Sequence, residues 1–141
     1  MYDIGPATLE DFLKVCEGSF EDTKYLKDNY SGFEFDKLTY DGEPIVAIGW
    51  IPVVEVDTKA EQIYMACAIS KKALKHKRAL CIAGHDYMKF FAKQAPLRVI
   101  CEHGNKVFCK FAEHFGFKKI NFIEKNPESG IISDVYIRSQ E

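Results

Sequence analysis

The chain has 141 residues, of which 47% are hydrophobic, and carries a formal net charge of −2. That length suits one hydrophobic core and is short for two, so a single domain over residues 1–141 is expected. The nearly balanced charge excludes bulk attraction to nucleic acid or to a membrane surface.

Met1 leads at once into Tyr2, Asp3 and Ile4, with no basic stretch and no long apolar run. No segment approaches the roughly 18 apolar residues of a membrane span. A chain without a signal peptide, in the cytoplasm, is the expectation. Five cysteines stand at 16, 67, 81, 101 and 109, with no C-x-x-C pair. Four lie in apolar-periodic segments, which predicts reduced, buried thiols. Cys81 with His85 and Cys101 with His103 are the nearest approach to metal ligands. Neither has a second pair at structural-zinc spacing, so no metal is expected.

In chain order, Tyr2 to Ile4 reads as a short strand stopped by Gly5-Pro6. Thr8 is an N-cap with Asp11 three residues on, and Leu9, Phe12, Leu13 and Cys16 define one helix face up to Gly18. A second helix is expected over Phe20 to Asn29. Phe35 to Tyr40 alternates as a strand, Asp41-Gly42 is a hairpin turn, and Pro44 to Val56 is a β-rich run. Pro52 inside that run requires an edge, a bulge or a place past the ladder. After the turn Asp57-Thr58-Lys59, Gln62 to Ile69 is apolar enough to be buried on both faces.

Ser70 caps a long helix from Lys71 to about Gln94, with Leu80, Ala83, Tyr87 and Phe91 on one face and Pro96 beyond its end. Leu97 to Cys101 is a strand. Asn105 caps a helix whose face is Phe108, Phe111, Ala112 and Phe115 and whose C′ residue is Gly116. Phe117 to Ile123 and Ile131 to Ile137 close the chain as strands, joined through Asn126 to Gly130. The order β-α-α-β-β-β-α-β-α-β-β predicts an α/β fold on a mixed, mostly antiparallel sheet. Its fourth and fifth strands run parallel through a right-handed crossover, and helices cover both faces.

The segment Lys71-Lys72-Ala73-Leu74-Lys75-His76-Lys77-Arg78 holds five formal positive charges directly after a strand. Cations at a helix N-terminus are unfavourable by about 0.3–1 kcal/mol each. An anion there would offset that cost, and strand-to-helix turns are where phosphates bind. The alternative is a solvated, lysine-rich helix face.

The segment Asn105-x-x-Phe108-x-x-Phe111-Ala112-x-x-x-Gly116-Phe117 resembles the closing motif of the GCN5-related N-acetyltransferases (GNAT). In that family an Asn follows the fifth strand and the next helix ends in Gly-Phe. The predicted element order is also the family's. The resemblance implies acetyl-CoA as cofactor and an amine acceptor, a small molecule or a protein lysine or N-terminus. Carried over, the pyrophosphate turn is Ala73 to Ala79, including Lys75, His76, Lys77, Arg78 and Ala79. Ala68 and Ile69 fall on the strand that holds the thioester, and Asn105 and Phe111 flank the pantetheine arm.

Two departures stand out. The family turn reads Arg/Gln-x-x-Gly-x-Gly/Ala, whereas Lys75 and Lys77 or nearby residues occupy the glycine places here. The family's Tyr acid is replaced by Ala112. In both respects the chain resembles small acetyltransferase-like proteins of short-tailed bacteriophages, including the internal virion protein family. That likeness implies a host-cytoplasm or virion location and a host or virion protein partner; the sequence leaves a homodimer open.

Acyl transfer needs a base for the ammonium proton, donors for the thioester oxygen and an acid for the thiolate. By position, Glu61 is the first candidate base, Glu55 and Glu102 follow, and His103 is a candidate acting through a water. Tyr64 and Tyr87 are candidate acids. Cys101 and Cys109 are candidate acyl acceptors with nothing to mark a depressed thiol pKa. The competing classes are an enzyme and a non-catalytic binder on the same scaffold. A nucleic-acid module on the Lys71–Arg78 face lacks a second basic segment.

Overall fold

The computed structural model describes residues 1–17, 32–102, 106–125, 130 and 132–141. The expected second helix over Phe20 to Asn29, the expected stop of the first helix at Gly18, and residues 126–129 and 131 of the last connection lie outside the described residues. The elements are β1 (Tyr2–Ala7), α1 (Leu9–Glu17), β2 (Glu34–Tyr40), β3 (Glu43–Val54), β4 (Glu61–Ile69), a 3-10 segment (Lys71–His76) and α2 (Lys77–Ala92). They continue as β5 (Leu97–Glu102), α3 (Lys106–His114), β6 (Lys118–Lys125) and β7 (Ile132–Arg138). Hydrogen-bonded neighbours follow the order β1-β2-β3-β4-β5-β7-β6. The β4–β5 pair is parallel, and the printed pairs β1–β2, β2–β3, β5–β7 and β6–β7 are antiparallel. This is the expected mixed sheet.

The chain divides into two compact units. One is Met1–Trp50 with Ala66–Leu80; the other is Ile51–Met65 with Cys81–Glu141.

In the first unit, Thr8 and Asp11 form the expected reciprocal cap. Asp11 N–H donates to Thr8 Oγ1 at 3.1 Å and Thr8 N–H donates to Asp11 Oδ2 at 3.0 Å. This satisfies two donors at the start of α1. The helix then buries Phe12, Val15 and Cys16 against Phe35, Ala47 and Ala68 of the strands. Strand β1 does not stop at Gly5-Pro6 as expected. It pairs with β2 along its whole length, from Tyr2↔Tyr40 to Ala7↔Phe35, and as an edge strand it tolerates proline. Asp41 (φ 48) and Gly42 (φ 82) both adopt the left-handed region that a two-residue primed turn requires. Pro52 lies beyond Trp50, the last residue of β3 that pairs with β2.

In β4, Ile63, Met65, Ala68 and Ile69 are buried, while Gln62, Tyr64, Ala66 and Cys67 are half-buried. The expected double-sided burial is therefore only partly realised.

In the second unit, the β4–β5 ladder runs from Ile63↔Leu97 to Met65↔Val99. The predicted α2 face holds in part: Leu80 and Phe91 are buried as expected, together with Gly84, Met88 and Ala92, whereas Ala83 and Tyr87 are half-buried. Helix α3 ends as expected. Phe117 N–H donates to Ala112 O at 3.0 Å and Gly116 N–H to Glu113 O at 3.1 Å, with Gly116 at φ 87. That is a Schellman motif, in which glycine avoids the Cβ penalty of positive φ. All five cysteines are free thiols. Cys16 and Cys101 are buried, and Cys67, Cys81 and Cys109 are half-buried rather than buried as expected.

Candidate functional site

The basic segment is built upward from a β-bulge. Leu38 pairs with Val46 and Thr39 with Pro44, which leaves Ile45 as the extra residue of β3. The Ile45 carbonyl accepts the Ser70 N–H at 2.9 Å. Ser70 then caps the segment, its Oγ accepting from Lys72 N–H at 3.2 Å and its carbonyl accepting from Ala73 N–H at 2.9 Å.

The expected α-helix from Lys71 is a 3-10 helix over its first six residues and becomes α-helical only at Lys77. The period of three puts Ser70, Ala73 and His76 in one row. Ser70 is 8% exposed and Ala73 0%. Burying that row favours the tighter helix over the 3.6-residue period.

His76 ends the row against β1 and β2. A hydrogen bond of 2.7 Å joins its Nδ1 and Tyr2 Oη, and its ring lies 4.3 Å from the Tyr40 ring, centroid to centroid. Lys72 forms an ion pair with Glu43 of β3. Lys75, Lys77 and Arg78 are exposed and make no ion pair with any described residue. Neither the 3-10 segment nor α2 has an acidic residue in its first turn. Three side-chain cations thus add to the positive end of the helix dipole. Ala73 N–H is used internally, and no glycine opens the backbone to close approach. The turn is therefore equipped to hold an anion through lysine and arginine side chains.

The remaining sequence-predicted residues are placed as follows. Ala68 is buried beside Phe12 and Val15, Ile69 is buried at the end of β4, and Ala79 is half-buried in the first turn of α2. Glu61 is exposed as the first residue of β4, and Glu102 closes β5 opposite Ser133. His103 and Asn105 lie outside the described residues. Phe111 is half-buried on α3, and Ala112 is buried, with no hydroxyl to offer. Glu55 accepts from Thr58 Oγ1 at 2.7 Å in the β3–β4 turn. Tyr64 Oη accepts from Arg98 Nη1 at 2.7 Å, and Arg98 also pairs with Glu124. The Tyr87 ring packs on Phe91 at 5.0 Å.

Residues missed by the sequence reading are Tyr2, Tyr40 and Glu43, and also Tyr136. Burial first, and then a hydrogen bond with Cys109, pushes the Tyr136 phenol well above its ordinary value. Tyr136 is buried in β7, so the half-buried Cys109 thiol is engaged with the sheet. None of these residues carries a local pattern that marks it.

Comparison with solved structures shows the fold: it is that of the GNAT N-acetyltransferases. The ribosomal-protein-S18-alanine N-acetyltransferase of Escherichia coli superposes with a TM-score of 0.65 at 15% identity, over 100% of this chain and 95% of that one. A chain of the NatC complex bound to Gag peptide and CoA gives 0.73 at 13% identity, over 99% of each chain. NAA60 of Arabidopsis thaliana, in complex with acetyl-CoA, gives 0.65 at 9% identity, over 97% of each. No family model matches the chain, and no curated protein matches it in sequence.

Proposed function

We propose that the chain is an acyl-CoA-dependent N-acetyltransferase, acting on the amine of a small molecule or on a protein lysine or N-terminus. The observation that carries this reading is the turn after β4 in a GNAT fold. It presents Lys75, Lys77 and Arg78 exposed, without ion-pair partners among the described residues, at the start of a 16-residue helix. Solved neighbours of the same fold are complexes with CoA or acetyl-CoA. Acetyl-CoA supplies the activated acetyl group. Lys75, Lys77 and Arg78 hold its phosphates by charge, replacing the backbone cradle that a glycine-rich turn provides. Glu61, Glu102 and His103 remain the proposed bases for the ammonium proton, and Asn105 and Phe111 the proposed supports of the pantetheine arm. Tyr64 is the proposed acid, its hydroxyl already oriented by Arg98.

Ala112 favours a second reading. Where the family has its Tyr acid, this chain has a buried methyl group. On that reading the scaffold binds a partner protein, of host or virion origin as the phage resemblance implies, without catalysis.

Calorimetric titration of acetyl-CoA, beside a Lys75/Lys77/Arg78→Ala variant, decides between them. Micromolar binding that the variant loses, followed by acceptor-dependent release of CoA thiol, supports the enzyme. Binding without turnover on any amine supports the second reading. No binding up to about 1 mM, roughly −4 kcal/mol, overturns the coenzyme site.

A further inference from the structure

A 3-10 run of six residues is long for a helix whose hydrogen-bond geometry is poor, and it persists only with tertiary support. The support is a row of three. Ser70 is tied to the Ile45 bulge, Ala73 is wholly buried, and His76 is held by two tyrosines. The Tyr2 and Tyr40 rings lie 4.9 Å apart. His76 meets Tyr2 edge-on at 5.5 Å and Tyr40 at 4.3 Å. Tyr2 belongs to β1 and Tyr40 to β2, and the two residues are directly paired in register.

His76 is also the residue at which the 3-10 segment gives way to α2. Its neighbours in sequence are Lys75 and Lys77, with Arg78 next. Where His76 is fixed, the direction in which those cations leave the turn is fixed.

We infer that His76, Tyr2 and Tyr40 form a clamp that positions Lys75, Lys77 and Arg78 for the phosphates of coenzyme A. The inference rests on the coenzyme reading above. It reassigns His76 from ligand to positioning residue, and it brings the β1–β2 edge into the machinery of the turn. Without the clamp the 3-10 segment samples undocked arrangements, and apparent affinity falls with the fraction of competent molecules.

The test is calorimetric titration of coenzyme A into the full chain, His76→Ala and Tyr2→Phe, at two salt concentrations and well below each thermal midpoint. Tyr2→Phe removes only a hydroxyl from a surface ring, so it reports even if His76→Ala fails to fold. The expected result is binding weakened about tenfold in His76→Ala and about threefold in Tyr2→Phe, the scale of one or two lost contacts. The salt dependence is expected to be shallower, because fewer cations engage. A merely structural role would lower the melting temperature but leave the affinity and salt dependence of folded molecules unchanged. Variants that bind like the unaltered chain overturn the clamp and leave the coenzyme reading standing. If the unaltered chain itself does not bind coenzyme A, the reading and the clamp fall together.

Discussion

Gly84 lies in the middle of α2 and faces the ring of Phe115. A Cβ built on Gly84 would lie 2.5 Å from Phe115 Cζ and 2.6 Å from Cε1, against ordinary contacts of 3.4–4 Å. The ring would have to retreat by about 1 Å in a closely packed interior. It is poorly placed to do so. Phe115 is 7% exposed, its ring is flanked by His85 at 5.2 Å and His114 at 5.4 Å, and its carbonyl accepts from Arg138 Nη1 at 3.0 Å. Gly84→Ala gains about 1 kcal/mol of helix propensity and costs about 1–3 kcal/mol in overpacking. The net expectation is a loss of about 1 kcal/mol. In a Phe115→Leu background the Cε and Cζ atoms are gone. The same substitution should then stabilise by up to about 1 kcal/mol, a coupling of roughly 2 kcal/mol. Urea unfolding of the four chains measures both steps, read as midpoint shifts at constant slope. A Gly84→Ala chain more stable than its parent in the Phe115 background would refute the close approach as the reason for glycine.

Two further predictions concern titration. The Asp11 carboxyl is held below its ordinary value of 3.8, chiefly by the Thr8 N–H and also by Lys37, against the opposing effect of burial. A pKa lowered on folding stabilises above the unfolded value and loses that contribution as pH falls through the folded one. Asp11→Ala should therefore cost about 1 kcal/mol at neutral pH, with a difference that shrinks below about pH 4; a gap that persists in acid would contradict the cap. For Tyr136 the sign is reversed. Its phenol is raised on folding from 10.0, first by burial and then by its bond with Cys109. Stability is complete below that value and falls above it as the unfolded chain ionises. Raising the pH from 8 to about 11 should lower the urea midpoint more in the unaltered chain than in Tyr136→Phe; equal losses would place the phenol in water.

What could be read from sequence was whatever is settled within a few residues. Asp41-Gly42 dictated its turn because both positions need positive φ. Thr8 with Asp11 and Gly116 with Phe117 marked two helix ends, because their partners lie three to five residues away. Ser70 was recognisable as a cap for the same reason. Those signals, with the strand and helix periods between them, were enough for the order of the described elements, the mixed sheet and the fold class. Tertiary structure decided what the basic turn became. The 3.6-residue pattern predicted an α-helix from Lys71, but a row at spacing three was buried instead, and that choice depends on the Ile45 bulge and on two tyrosines. Tyr2 is 74 residues from His76, and Glu43 is 29 from Lys72. Only the β1–β2–β3 register brings them to the turn. His76, a ligand by its place among lysines, was therefore turned to the sheet edge, while Lys75, Lys77 and Arg78 stayed in solvent. A local hydrogen bond is chosen by the residues that make it, but a side chain's distant neighbours are chosen by strand register, and no window of sequence contains that.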